Sequence, residues 1–214
     1  KVVYNEIEIP RGGEFDLVLA DGTQVWLNAE SRLRYPVEFS GKERKVVLEG
    51  EAYFQVKKNP SLPFRVEIRN QVIEVLGTEF NVSGYKDEVH VYTTLVNGKV
   101  KVATTGRDMT LLPGEQCVLD TGDGSMIRQQ VDVDKIISWK KGKFILEEQT
   151  LEQIMQKLAR WYDITVFYQN PALKNKVFKG SVPRYAELQQ VLNILEKTGE
   201  VQFHIQNRTV IVKE

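Results

Sequence analysis

The chain has 214 residues, enough for one large or two ordinary domains, and 42% of them are apolar, so a sizeable core can form. Lysine and arginine number 29 against 29 aspartates and glutamates, which excludes the global basic footprint of a nucleic-acid binder and an acidic solvating tail. One cysteine, Cys117, excludes an internal disulfide and a cysteine-rich metal site, and no run approaches the roughly 18 apolar residues of a membrane helix.

Up to about residue 130 the chain alternates short strand-like runs with turn residues. VVYNEIEI, EFDLVLA and TQVWLN open the series, and Asp21-Gly22 joins the second run to the third as a hairpin, because a tight turn needs residues that tolerate positive φ. KVVLEG, EAYFQVKK, FRVEIR, QVIEVLG, VHVYTTLV, KVKVAT and QCVLD follow, separated by Arg69-Asn70, Asn97-Gly98, Thr105-Gly106 and Pro113-Gly114. The spacing predicts an all-β domain over residues 1–130, a sandwich, jelly roll or solenoid-like stack. Residues 131–142, VDVDKIISWKKG, change the composition and read as a linker.

Past the linker, Leu151, Ile154, Met155 and Leu158 make an amphipathic stripe with Thr150 as its N-cap. Leu188, Val191, Leu192 and Leu195 repeat that stripe 37 residues later, and Ile164 and Val166 recur as Val201 and Phe203 at the same offset. Residues 143–214 therefore read as a duplicated β-α-β domain, two helices on a small sheet, with KVFKGSV opening the second half and RTVIVK closing the sheet. Residues 1–138 carry 17 basic and 21 acidic residues and residues 139–214 carry 12 and 8. That asymmetry, if more than ordinary surface variation, favours docking of an acidic surface on the C-terminal half.

Chemistry is sparse. The two histidines, His90 and His204, sit on strands in different domains without metal-ligand spacing, and no nucleophile elbow or calcium loop is present. Glu49 and Glu51 flank Gly50 and share one strand face, which suits a paired-carboxylate site or, more simply, a solvated face with a bulge. Trp26, Tyr35, Tyr53 and Phe54 could form a sugar-stacking platform or pack the core. These patterns point to a protein that is not an enzyme and needs no cofactor or metal.

LADGTQVWLNAESRLRYP resembles the signature of the FecR family of membrane-anchored sigma-factor regulators, and the likeness continues through FSGKERKVVLEGEAYFQV, PFRVE, VLGTEFNV, TLVNGKVKV and LLPGEQ. GKFILEEQTLEQIMQKLARWYDITV resembles the domain that follows in the Bacteroidetes-type members, itself similar to the short N-terminal signalling domain of secretins and TonB-dependent transducers. The resemblance implies the periplasmic region of a single-pass inner-membrane protein, preceded by a membrane helix and a cytoplasmic segment that holds the sigma factor. Its expected partner is the signalling domain of a TonB-dependent outer-membrane receptor, and the transducer rather than this chain would select the nutrient. The chain opens on Lys1 without an initiator methionine, as expected of an excised region. The rival expectation is a carbohydrate-binding module that senses a glycan through the β domain.

The resemblance gives Asp21, Gly22, Trp26, Leu27 and Asn28 structural jobs in a family motif and supplies no catalytic residues. Gly22 allows the turn, Trp26 anchors a sheet and Asn28 satisfies backbone groups at a strand end. For partner contact, the apolar alternation of Phe144, Ile145 and Leu146 and of Thr209, Val210, Ile211 and Val212 suggests two edge strands that a partner strand could extend.

Overall fold

A computed structural model describes residues 2–214, and the chain divides into two compact units, Lys1–Ile136 and Ile137–Glu214. The first unit runs β1 (Tyr4–Ile9), β2 (Phe15–Val18), β3 (Gln24–Leu27), β4 (Ser31–Pro36), β5 (Arg44–Gln55), β6 (Phe64–Ile68), β7 (Gln71–Val75), β8 (Glu79–Gly84), β9 (His90–Asn97), β10 (Val100–Thr104), β11 (Arg107–Leu111), β12 (Glu115–Asp120), β13 (Met126–Gln130) and α1 (Val133–Ile136). The strands form one 13-stranded sheet ordered β11-β10-β7-β6-β5-β8-β9-β12-β13, in which β3 and β4 also bond to β5 and carry β2 and β1.

The long strand β5 organises this unit. Its first half pairs with β4 and, in parallel, with β6, and its second half pairs with β3 and β8. Gly50, at φ 90°, stands where the partners change. Inward side chains from both halves meet in one core, where Phe54 stacks on Phe80 at 5.1 Å and meets Phe64 at 6.1 Å between centroids. The mainly β expectation holds, with two corrections of detail. KVVLEG and EAYFQVKK are one continuous strand, and β4, β8, β11 and β13 have no counterpart among the expected runs. The β2–β3 hairpin forms as expected, Leu17 opposite Val25, with Gly22 at φ 85° in its turn.

The segment expected as a linker holds α1 and then a 3-10 turn (Ile137–Lys141), with Ile137 and Trp139 buried. The second unit continues with β14 (Lys143–Ile145), β15 (Gln149–Thr150), α2 (Leu151–Tyr162), β16 (Thr165–Tyr168), a 3-10 turn (Pro171–Asn175), β17 (Val177–Phe178), β18 (Ser181–Pro183), α3 (Leu188–Glu196), β19 (Gln202–Gln206) and β20 (Thr209–Lys213). Helix α2 starts in a full capping box, Thr150 Oγ1 accepting from the Gln153 amide at 3.3 Å and the Gln153 side chain accepting from the Thr150 amide at 3.0 Å. The stripe residues of both helices enter one apolar core. The 37-residue repeat is visible as α2 and α3, each followed by the equivalent strands β16 and β19.

The single small sheet expected here is instead three separate ones, β14-β18, β15-β17 and β16-β20-β19. Strand β20 does not close the last sheet. It lies between the two repeated strands, parallel to β16 and antiparallel to β19.

Candidate functional site

Each motif residue of the first hairpin is tied into the β unit. Asp21 accepts from the Thr23 amide at 3.0 Å and the Thr23 hydroxyl at 2.8 Å, an Asx-type clamp on the turn. Its Oδ2 also accepts from Arg44 Nη1 at 2.6 Å, across 23 residues. Arg44 is 1% exposed and spans three elements, donating through Nε to Leu62 O at 2.9 Å and through Nη1 to Lys57 O at 2.8 Å while lying over the Phe64 ring. Leu27 is fully buried, and Trp26 meets Tyr53 edge-on with centroids 5.6 Å apart.

Asn28 bonds in three directions. Its backbone donates to Glu51 O at 3.0 Å, its Oδ1 accepts from the Ala29 amide at 2.8 Å, and its Nδ2 donates to Glu51 Oε2 at 2.7 Å. Asn81 Nδ2 donates to the other Glu51 oxygen at 3.0 Å, so Glu51 is clamped by two amides. Glu49 pairs instead with Lys86 at 2.6 Å. The two amides on Glu51 tie β5 to β8 and to the residue after β3, whereas the Glu49–Lys86 pair is an exposed surface contact.

The aromatic candidates do not gather on one surface. Phe54 is in the core, Tyr53 is 4% exposed and donates to Glu79 Oε2 at 2.8 Å, and Tyr35 belongs to β4. Burial, followed by the Glu79 carboxylate, pushes the Tyr53 phenol well above its ordinary pKa. A shallow depression of about 350 Å³ opens between the β2–β3 turn and the ends of β5, β8 and β9, with Gln24, Lys57, Lys58 and Asn97 in its wall. The one carboxylate there, Glu79, is taken by Tyr53 and by Gln55 Nε2 at 3.3 Å.

His90 lies 3.5 Å from Asp120, and His204 is on β19 in the other unit. Among the described residues no three histidine, cysteine or acidic side chains converge as a metal site, and no helix is long and apolar enough to cross a membrane. Cys117 is fully buried, and burial pushes its thiol pKa up to about 11. Native protein should therefore resist Ellman's reagent at pH 8 and release one thiol equivalent only on unfolding. Rapid labelling of the folded chain would contradict this environment.

In the second unit a charge is enclosed by rings. Arg184, 1% exposed, lies over Trp161 at 3.9 Å, with Phe144 at 5.5 Å and Trp139 at 5.6 Å. Phe144 and Leu146 both belong to the apolar core of this unit, and β14 is a three-residue strand paired on one side with β18. The expectation that Thr209, Val210, Ile211 and Val212 form a sheet edge is corrected, since β20 is bonded on both sides and Val210 and Val212 are buried. The edges of that sheet are β16 and β19, and the sequence pattern singled out neither for partner contact.

Comparison with known proteins finds a family match within each unit. The FecR protein family model matches residues 5–101 and the model of the FecR C-terminal region matches residues 143–212. Two crystal structures from Parabacteroides distasonis ATCC 8503, at 1.65 and 2.50 Å and each described as a "putative anti-sigma factor", align with TM-scores of 0.91 at 28% identity. They cover 98% and 99% of this chain and 99% of each matched chain. No curated protein sequence matches the chain. With the motif hairpin and β5 inside one matched region and the duplicated helices inside the other, the chain belongs to the FecR family.

Proposed function

We propose that these residues are the periplasmic signal-receiving region of a membrane-anchored anti-sigma factor. The FecR family and the likeness to structures described as anti-sigma factors support a role in sigma-factor regulation. The finer reading is contact with the signalling domain of a TonB-dependent outer-membrane transducer, relayed through a membrane helix to the sigma factor. One observation carries it, the joining of a FecR-type β unit to a duplicated β-α-β unit whose own core and exposed sheet edges suit protein contact. The C-terminal unit has 12 basic against 8 acidic residues over residues 139–214, and with Arg160 and Arg184 buried its surface keeps 10 against 8, a small added attraction for an acidic partner. In this reading the chain acts by contact rather than by catalysis, consistent with motif-side carboxylates engaged in strand-positioning bonds.

Calorimetric titration against the N-terminal domain of the receptor encoded beside the gene should give a saturable one-to-one complex. Amide shifts should fall on the second unit. Absence of heat and of amide shifts at about 100 μM of each protein would sink the receiver assignment.

A further inference from the structure

We infer that the receiver is engaged at the outer edge of β16, Thr165–Tyr168, by an extended strand from an acidic protein domain, a placement that rests on the signal-receiver reading above. The three-stranded sheet has its central position filled by β20, so a partner strand can add only beside β16 or β19. The two edges are not equivalent.

At β19 the residues facing β20 are Gln202, His204 and Gln206, which leaves Phe203 and Ile205 with outward backbone groups. The Phe203 amide already donates to Glu196 Oε1 at 2.6 Å. A carboxylate from the end of α3 thus occupies the first donor of that edge, a standard device for discouraging strand addition.

At β16 the Thr165 amide donates to Arg208 O at 2.8 Å and the Gln169 amide to Val212 O at 3.0 Å, both toward β20. Parallel alternation then turns the amides and carbonyls of Val166 and Tyr168 away from the sheet. No strand pairs with them among the described residues. The sequence there, TVFY, has no charge, no proline and no bulge to guard it. Phe167, 58% exposed, stands on the open face beside Ile211, so an arriving strand would gain apolar contact as well as ladder bonds. The occupant is set by this chemistry, an extended apolar strand to match Val166–Tyr168, carried on a domain whose acidic surface complements the basic excess of the C-terminal unit.

Proline at Val166 is the direct probe, because the Val166 amide faces outward and its loss leaves the bonds to β20 in place. Val166→Pro should weaken binding of the neighbouring receptor's N-terminal domain about tenfold or more, through a lost ladder bond and a clash with the added strand. Ile205→Pro, the matching change at the other edge, should leave affinity within about twofold. Phe167→Glu, on an exposed side chain, removes the apolar contact and repels an acidic partner, so it should also weaken binding about tenfold, and it keeps the test open if Val166→Pro disturbs folding, as read by circular dichroism. Loss at Ile205→Pro with none at Val166→Pro or Phe167→Glu moves the contact to β19, and no loss in any folded variant removes strand addition at this three-stranded sheet; either result overturns the β16 assignment while the receiver reading stands. Absence of binding by the unaltered chain overturns both. Concentration-dependent dimers of the unaltered chain, abolished by Val166→Pro, would assign the edge to a second copy and so also overturn it.

Discussion

Asp21→Ala should lower the unfolding free energy by about 3–5 kcal/mol, the range for stripping one partner from a buried ion pair. Arg44 is 1% exposed, so its charge cannot turn to solvent once the 2.6 Å contact to Asp21 is gone. The same change frees the Thr23 amide and hydroxyl, and Thr23 Oγ1 in turn accepts from the Lys57 amide at 3.1 Å. The turn between β2 and β3, the start of β5 and the loop beyond β5 would therefore loosen together. Chemical denaturation followed by tryptophan fluorescence measures the loss.

A double-mutant cycle separates this mechanism from simple turn damage. Asp21→Ala combined with Arg44→Met removes the stranded cation as well as its partner, although Leu62 O and Lys57 O then lose their donor. The pair should show a coupling energy of about 2–3 kcal/mol. Additivity of the two single losses would mean that Asp21 acts on the turn alone and that the ion pair contributes nothing of its own.

Much of the architecture is legible in local pattern, and the illegible parts share a physical cause. The Asp21-Gly22 hairpin and the two helices announce themselves within a few residues, through a turn that needs positive φ and through stripes at i, i+3, i+4 and i+7. Position within a sheet has no such signal. Val210 and Val212 alternate with partly exposed residues, and that alternation is the same whether the strand is central or at an edge. The place of β20 depends on where β16 and β19 come to lie, which no residue of β20 itself encodes. The Asp21–Arg44 pair is hidden for a similar reason, since its members are 23 residues apart and an arginine opening an apolar strand ordinarily snorkels to water. Strand β13, with Ile127 58% exposed and no buried residue, lacks the alternation that marks its neighbours.

Gly50 is the most misleading residue of the sequence, because a glycine inside a strand pattern signals a break, and here it is the point through which one strand serves both halves of the sheet. Gly50→Ala should cost about 3–5 kcal/mol from two sources that act together. At φ 90° an L side chain is strained by roughly 1–2 kcal/mol. The added methyl would also collide with Ser31 Oγ and stand 2.8 Å from Ser31 Cα, which is backbone and cannot rotate away. Ser31 is itself fixed by a reciprocal pair with Glu51, its hydroxyl accepting from the Glu51 amide at 2.9 Å and donating to Glu51 O at 3.1 Å, so relief of the clash would break bonds beside the Glu51 clamp. Ser31→Gly gives up its own bonds to Glu51, but it takes the hydroxyl out of the collision and leaves only the backbone contact, so Gly50→Ala should cost about 1–2 kcal/mol less in a Ser31→Gly background than in the unaltered chain. Thermal unfolding of the single and double variants gives both numbers. A Gly50→Ala chain that melts within about 2 °C of the unaltered protein would show that β5 can straighten at this point, and the pivot would then belong to its neighbours rather than to the glycine.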